Sequence, residues 1–524
     1  MAQERYDVVV AGGGHNGLTA AAYLGRAGLS VLVLERLDHV GGAAISAQAF
    51  EGFPTRLSRY SYLVSLLPEQ IRTDLGLDIE LASRQTASYS PFLDGSRATG
   101  LLVETPEGEA TAASFRAVTG SDEEYAAWQS FYSEVGELAQ VVAPTLTSPL
   151  PTGAAIRSGV GAPIWRDIVE RPLGEAIERR FANDLVRGVV ATDALIGTFA
   201  GLGEASLIQN RCFLYHLIGN GTGEWRVPIG GMGAVTGAIA KAAYAAGAEV
   251  VTSATVTSIS GGAVGEGAEV TWTDASGSHT VAADYVLSGL APYVLDGLLG
   301  RPATTAKPVG AQLKINMLLS RLPRLRSGED PEVAFAGTLH LGESYSELER
   351  AYAEASAGSV PTEMPGEVYC HSLTDPSILG DVPPGTQTLT YFGLHAPATL
   401  FEDPATRSER KEQAVERAIA SLDRHLLDPV SSVVARTADG EPCIEAKIPQ
   451  EIEADLAMPG GHIFHGDLAW PWAPDDADLT TPAARWGVAT DLGTVLVCGS
   501  GAVRGGAVSG LGGHNAAQAV LELR

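Results

Sequence analysis

The chain opens on a mostly apolar run, Tyr6 to Ala11, of the kind carried by a strand buried on both faces. A glycine cluster at 12–17 follows, then Leu18 to Ala27, which reads as a helix, and Leu29 to Glu35 repeats the buried-strand pattern. Together they make one βαβ unit of about 30 residues. Ser121-Asp122-Glu123-Glu124 has the spacing of a capping box and predicts a helix through about Val142. Four prolines and three glycines between 143 and 165 predict a loop or lid. Helical patterns follow near 174–198 and in the alanine-rich 234–247, with a strand from Gly247-Ala248-Glu249 through about Ile259. Residues 312–319 alternate as a strand, and 408–427 read as an amphipathic helix rich in charge pairs. The last segment holds a strand, Thr494 to Cys498, a glycine-rich turn and a helix from about Gly512 to Leu523. There is no internal repeat and no low-complexity tract.

Composition narrows the classes. A length of 524 residues suggests two to four structural units, and 45% hydrophobic residues with seven tryptophans exclude a disordered chain. The 61 glycines follow no Gly-X-Y period, which excludes collagen. With 35 basic against 62 acidic residues the net charge is −27, so nucleic acid is disfavoured as a partner. Peripheral membrane contact is left only where a local apolar patch overrides that field. Only five of the cations are lysines, which reads as genome bias. Cys212, Cys370, Cys443 and Cys498 stand at least 55 residues apart with no C-x-x-C, so neither a redox dithiol nor a zinc site is read, and a reducing compartment is expected. The N-terminus lacks a signal-peptide pattern and no run of about 18 apolar residues occurs, so a soluble cytoplasmic protein is expected.

Candidate chemistry starts at Gly12-Gly13-Gly14-His15-Asn16-Gly17, a G-x-G-x-x-G with a strand before it, a helix after it and an acid at the end of the next strand. Gly12 permits the tight turn, Gly14 lets a pyrophosphate approach the backbone, and Gly17 lets helix and strand pack closely. The helix N-terminus offers free N–H groups and partial positive charge to phosphates. Glu35 is placed to accept from a ribose 2′-OH, and its carboxylate would repel a 2′-phosphate. Arg36 and the pair Gly41-Gly42 just beyond the acid suggest backbone passing close to a larger, extended cofactor.

Seven glycines fall between Gly499 and Asn515, between a strand and a helix, so a ligand lying along that turn would touch mostly backbone amides. For a flavin, the helix that follows would stabilise negative charge on the reduced ring. Gly230-Gly231-Met232-Gly233-Ala234-Val235-Thr236-Gly237 imitates a second fingerprint, but its spacing is wrong, its preceding strand is poor, and no strand ending in an acid follows. One dinucleotide site is therefore expected.

These motifs, with Pro228-Ile229-Gly230-Gly231-Met232-Gly233, Ser61-Tyr62 to Leu67, Lys314-Ile315-Asn316 and Gly461 to Gly466, resemble the FAD-dependent phytoene-desaturase-like oxidoreductases. Within them the chain is most similar to the branch of pyridine nucleotide-disulfide oxidoreductase domain-containing protein 2, with matches from residue 6 to 517. The resemblance implies an α/β fold, a Rossmann-like FAD-binding domain of the glutathione-reductase/amine-oxidase type with an inserted α+β substrate domain. It divides the chain into FAD-binding segments at 1–64, 221–294 and 481–524 and substrate segments at 65–220 and 295–480. It also implies that Gly12, Gly14, Gly17, Glu35, Arg36, Gly41 and Gly42 contact the ADP half of FAD. Val256 would reach the adenine by backbone, and Gly505, Gly506, Val508 and Ser509 would lie by the flavin, in the run that starts at Gly499. Two departures stand out: Arg504 where the family has proline, with Ala507 for a third glycine, and Ser288-Gly289-Leu290-Ala291 for Ser-Asn-Ala.

A flavin takes hydride at N5, so the protein supplies position and charge stabilisation, and a base only if a proton also leaves. His465, in the Phe464-His465-Gly466 turn, is the first candidate base. Lys314 and Asn316 share one strand face opposite Leu313, Ile315 and Met317, and either approach the flavin or substrate or, more commonly for such residues, lie on an exposed edge. The leading expectation is FAD-dependent desaturation or saturation of a C–C bond in an apolar, isoprenoid-like molecule, with oxygen or a quinone as electron acceptor. A flavin amine oxidase, a flavin-dependent isomerase and a non-catalytic lipid carrier of the GDP-dissociation-inhibitor type are the rivals.

Overall fold

The computed structural model describes residues 4–95 and 97–524. Strand Arg5–Ala11, whose Val8, Val9 and Val10 are wholly buried, lies at the centre of the first sheet. It pairs in parallel with Val31–Leu34 on one side and with Gly277–Ser288 on the other. Glu249–Val251 extends the sheet beyond Val31–Leu34, and Val495–Val497 extends it beyond the last residues of Gly277–Ser288, again in parallel. The other end of Gly277–Ser288 turns into an antiparallel meander with Ala268–Asp274 and Thr255–Gly261. Helix His15–Arg26 packs between Met232–Ala245 and Leu511–Leu523, and the contacts are close because glycines form them. A Cβ at Gly25 would stand 2.7 Å from the Ala246 carbonyl oxygen, and one at Gly513 would overlap that of Asn16.

The second sheet runs Ile444–Lys447, Leu313–Leu319, Gln387–Gly393, Gly366–Tyr369, Thr338–Leu341, Thr86–Asp94, Arg97–Glu104. All its pairings are antiparallel except the parallel one between Thr338–Leu341 and Thr86–Asp94. Alternation along these strands sorts their side chains. Leu313, Ile315, Met317, Leu339, Leu341, Val368, Leu389 and Tyr391 share a core with Ala414, Ala418 and Leu422 of helix Arg407–Asp423. Lys314, Asn316, Thr338, His340, Glu367, Tyr369 and Phe392 occupy the opposite face. Lys314 and Asn316 are therefore not on an exposed edge: their strand is flanked on both sides and every residue of it is buried.

Other expectations are also corrected. Residues 143–165 are not an open loop: they hold helices Gly153–Ser158 and Ala162–Trp165 and a 3-10 turn at Ala143–Thr145. Arg504 fastens this segment, its guanidinium donating to the Thr145 and Ser148 carbonyls at 2.6 and 2.8 Å. The helical pattern near 174–198 breaks into Leu173–Arg180 and Asp184–Ala191, because Asn183 caps the second helix at Leu185 N and Val186 N. Helix Glu123–Val142 forms without the capping box: Glu124 instead accepts from Ala182 N and Asn183 N. The strand expected over 247–259 is interrupted where Ser253 takes φ +53° and Ser253 N and Ala254 N turn back to the carbonyls of Leu37 and Glu35. Among the described residues all four cysteines are free and buried, and no helix is long and apolar enough to cross a membrane.

Candidate functional site

The glycine turn between strand Arg5–Ala11 and helix His15–Arg26 divides its labour. A Cβ at Gly17 would overlap the Gly12 carbonyl oxygen, so that glycine is a packing requirement. Gly14 has only the Gly42 Cα near its missing Cβ, at 4.0 Å, which leaves room in front of the backbone. The helix starts directly after Gly14 with no side-chain cap and no acid in its first turn among the described residues, so its positive end is free for an anion. Glu35 is 7% exposed and fixed by two amides, Gly13 N at 2.8 Å and Leu37 N at 2.9 Å. Gly41 N donates to Gly13 O at 2.9 Å, and a Cβ at Gly42 would stand 3.2 Å from Gly14 Cα, so the second glycine pair lies against the first turn. Open backbone, an uncapped helix end and a fixed carboxylate fit a dinucleotide.

Arg36 points elsewhere: its Nη2 donates to the carbonyls of Ala454 and Asp455 at the end of helix Pro449–Leu456. Val256 is half-buried in Thr255–Gly261, where the incoming chain runs beside Glu35 and Leu37. The second imitation fingerprint has its amides occupied, Met232 N by Ser58 Oγ and Gly233 N by Ser46 Oγ.

The C-terminal glycine run meets the N-terminal turn. His15 Nε2 lies 3.1 Å from the Ala507 carbonyl, and Asn16 Nδ2 donates to Gly505 O at 3.5 Å. A Cβ at Gly499 would stand 2.5 Å from Gly289 O, at Gly506 2.5 Å from Leu468 Cδ2, and at Gly512 2.6 Å from Cys498 O, while one at Gly505 would overlap Gly499 O. Close packing thus explains much of this run. Ser509 is buried and its Oγ accepts from Leu511 N, whereas Val508 faces a cavity.

That cavity, of about 570 Å³, opens where the two glycine turns meet the polar face of the second sheet. One wall is His15, Ala43, Ser61, Ser500, Ala507 and Val508; the facing wall includes Lys314, His340, Glu367, Tyr369 and Phe392; Trp128, Tyr132, Val135, Leu217 and Trp225 give an apolar flank. Lys314 Nζ donates to Tyr60 O at 3.2 Å and stands 3.9 Å from the centroid of the Tyr62 ring. Burial pushes its amine well below the usual lysine range. The Tyr62 and Tyr369 rings lie 4.5 Å apart, and the Tyr369 hydroxyl donates to Glu367. Burial raises the Glu367 carboxyl to about 8 and that of Asp193, also in the wall, to about 7. His465 is half-buried outside the cavity lining, with its Cβ beside Gly501, and desolvation lowers its imidazole to about 4.

Residues 10–69 match the family described as NAD(P)-binding Rossmann-like domain. The Uncharacterized protein Rv0897c of Mycobacterium tuberculosis is 50% identical over 98% of this chain and 97% of its own length. The chain belongs to the family of this mycobacterial protein. Pyridine nucleotide-disulfide oxidoreductase domain-containing protein 2 of Mus musculus is a more distant relative, 28% identical over 98% of this chain and 93% of its own. A limonene dehydrogenase subunit, from Castellaniella defragrans, is similar over a short stretch, 47% identical over 75 residues, 14% of this chain and 13% of that one. Among solved structures, putrescine oxidase bound to putrescine shares the fold at a TM-score of 0.57 and 18% identity, covering 98% of this chain and 97% of that one. The chain thus shares the amine-oxidase architecture, a Rossmann-like dinucleotide-binding domain joined to a second, mixed-sheet domain.

Of the residues read from sequence in this family member, the fold gathers Gly12, Gly14, Gly17, Glu35, Gly41 and Gly42 at one turn, and Lys314 with Val508 at the cavity. Arg36 is turned to the end of helix Pro449–Leu456, and His465 lies outside the cavity lining. Arg84, Asp193, His340, Glu343, Glu367 and Tyr369 were not read from sequence. The only local signals were His340-x-x-Glu343 and Glu367-x-Tyr369, which mean little until neighbouring strands are paired.

Proposed function

We propose that this chain binds FAD along the paired glycine turns and carries out desaturation or saturation of a C–C bond in an apolar, isoprenoid-like molecule held in the cavity. The observation that carries the reading is a cavity bounded by both glycine turns on one side, a buried lysine on the other and aromatic and aliphatic residues along its flank. The short similarity to limonene dehydrogenase supports an apolar substrate. FAD bound there supplies hydride transfer at its N5. Gly14 and the helix end beside it would receive the pyrophosphate, and Glu35, fixed by Gly13 N and Leu37 N, would accept from ribose hydroxyls. The apolar flank excludes water from the substrate. Lys314, pushed by burial toward its neutral form, is the group placed to take a proton from substrate.

The test is anaerobic mixing of FAD-loaded protein with monoterpenes and longer isoprenoids, alongside primary amines, while the visible flavin band is followed. Bleaching by an isoprenoid is expected. Bleaching by amines alone would move the reading to amine oxidation, and protein that stays colourless after FAD supplementation would overturn it.

A further inference from the structure

We propose that His340, Glu343 and Glu367 form a site for a divalent transition-metal ion in the wall of the cavity. His340 and Glu367 face each other across neighbouring antiparallel strands, in register. Glu343 follows three residues after His340, just before helix Tyr345–Ser356. His340 Nδ1 lies 3.7 Å from Glu343 Oε2 and Nε2 lies 3.9 Å from Glu367 Oε1. One ligand atom from each of the three falls within 4.8 Å of the others. Bonds of about 2.0–2.2 Å place ligand atoms roughly 3–4.3 Å apart around one ion, so small side-chain rotations close the set.

Two further observations point to a ligand. Among the described residues neither carboxylate oxygen of Glu343 makes a hydrogen bond of good geometry, the Thr192 hydroxyl being only a weak neighbour, although the side chain is only 1% exposed. A buried carboxylate without a partner is expensive and calls for a proton or a cation. The local charge is also strained: Glu343, Glu367 and Asp193 disfavour one another's ionised forms, while the Arg84 guanidinium favours that of Glu367. A divalent ion would take the place of the protons that burial otherwise puts on these carboxyls. Ser90 Oγ, 3.2 Å from His340 Nδ1, helps to orient the ring. One imidazole with two carboxylates suits the Mn²⁺-to-Zn²⁺ series better than Mg²⁺ or Ca²⁺, which favour all-oxygen shells. His340 and Glu367 both line the cavity, so a coordination position is left for water or a substrate oxygen.

The experiment uses the full chain, stripped with a chelator, dialysed against Zn²⁺ or Mn²⁺ and assayed for metal by mass spectrometry, with flavin content and thermal unfolding read in parallel. About one ion per chain is expected, raising the unfolding temperature on reloading. Glu343→Gln should weaken metal retention at least tenfold and lose that rise, with flavin content unchanged. Glu367→Gln serves as the second variant should Glu343→Gln not fold. Parent protein that retains neither ion, or variants that retain as much as the parent, would overturn the site whatever becomes of the flavin reading.

Discussion

The two walls of the cavity are built from opposite materials. The wall of His15, Ala43, Ala507 and Val508 rests on the turns at Gly14, Gly42 and Gly505, whose main requirement is that side chains be missing. The wall from the second sheet is made of side chains, Lys314, His340, Glu367 and Tyr369, projected by alternation from strands that meet only in the folded chain. A backbone-built site writes itself into sequence as glycine at fixed spacing. A site built from side chains on separate strands leaves ordinary residues at ordinary intervals.

The sharpest way to break this contrast is inside the glycine wall. Gly17→Ala puts a methyl into the Gly12 carbonyl and should cost at least about 3 kcal/mol, with loss of bound flavin. Gly14→Ala, at φ −70° and with nothing nearer its Cβ than 4.0 Å, should leave thermal unfolding almost unchanged while weakening FAD retention at least tenfold. Equal unfolding temperatures for the two variants would show that the division between packing and ligand approach is wrong.

The next effect belongs to the opposite wall. Lys314→Met keeps the length of the stem within the buried strand and removes the amine. Flavin content should hold while the rate of flavin reduction by substrate falls about 10²–10⁴-fold, the usual range for a lost general base. A variant that reduces flavin at the parental rate would make Lys314 a packing residue, held by Tyr60 and Tyr62.

The same contrast explains what could be read in advance. The turn from Gly12 to Glu35 was legible because its parts fall in one βαβ unit. The strand at Leu313–Leu319 was legible by alternation, but its burial was not, since its flanking strands Gln387–Gly393 and Ile444–Lys447 come from much later in the chain. Glu124 looked like a capping residue because a sequence cannot show that Ala182 and Asn183 will arrive beside it. Arg504 looked like a departure from a flavin motif, whereas the folded chain uses it to hold the Thr145 and Ser148 carbonyls. His340 and Glu367 are 27 residues apart and become opposite neighbours only through strand register.

The smallest effect concerns the domain that carries the side-chain-built wall. His395 is 1% exposed, neither ring nitrogen has a hydrogen bond among the described residues, and Phe199 and Tyr352 lie 6.0 and 5.6 Å from its ring. Burial lowers its imidazole from 6.5 to about 3. The unfolded chain therefore takes up a proton near pH 6.5 that the folded chain refuses until near pH 3. Because the unfolded state binds more protons, this residue's contribution falls as pH falls through that window, by about 1.4 kcal/mol per unit. His395→Phe keeps a ring between the same neighbours and removes the titration. The constant cost of an aromatic residue at φ +52° shifts the whole curve but not its slope. Chemical unfolding at pH 7 and pH 5 should show the variant gaining about 2 kcal/mol on the parent between the two. Every other buried histidine and carboxyl titrates equally in both proteins, so parallel stability curves would mean that His395 is hydrated or partnered in solution.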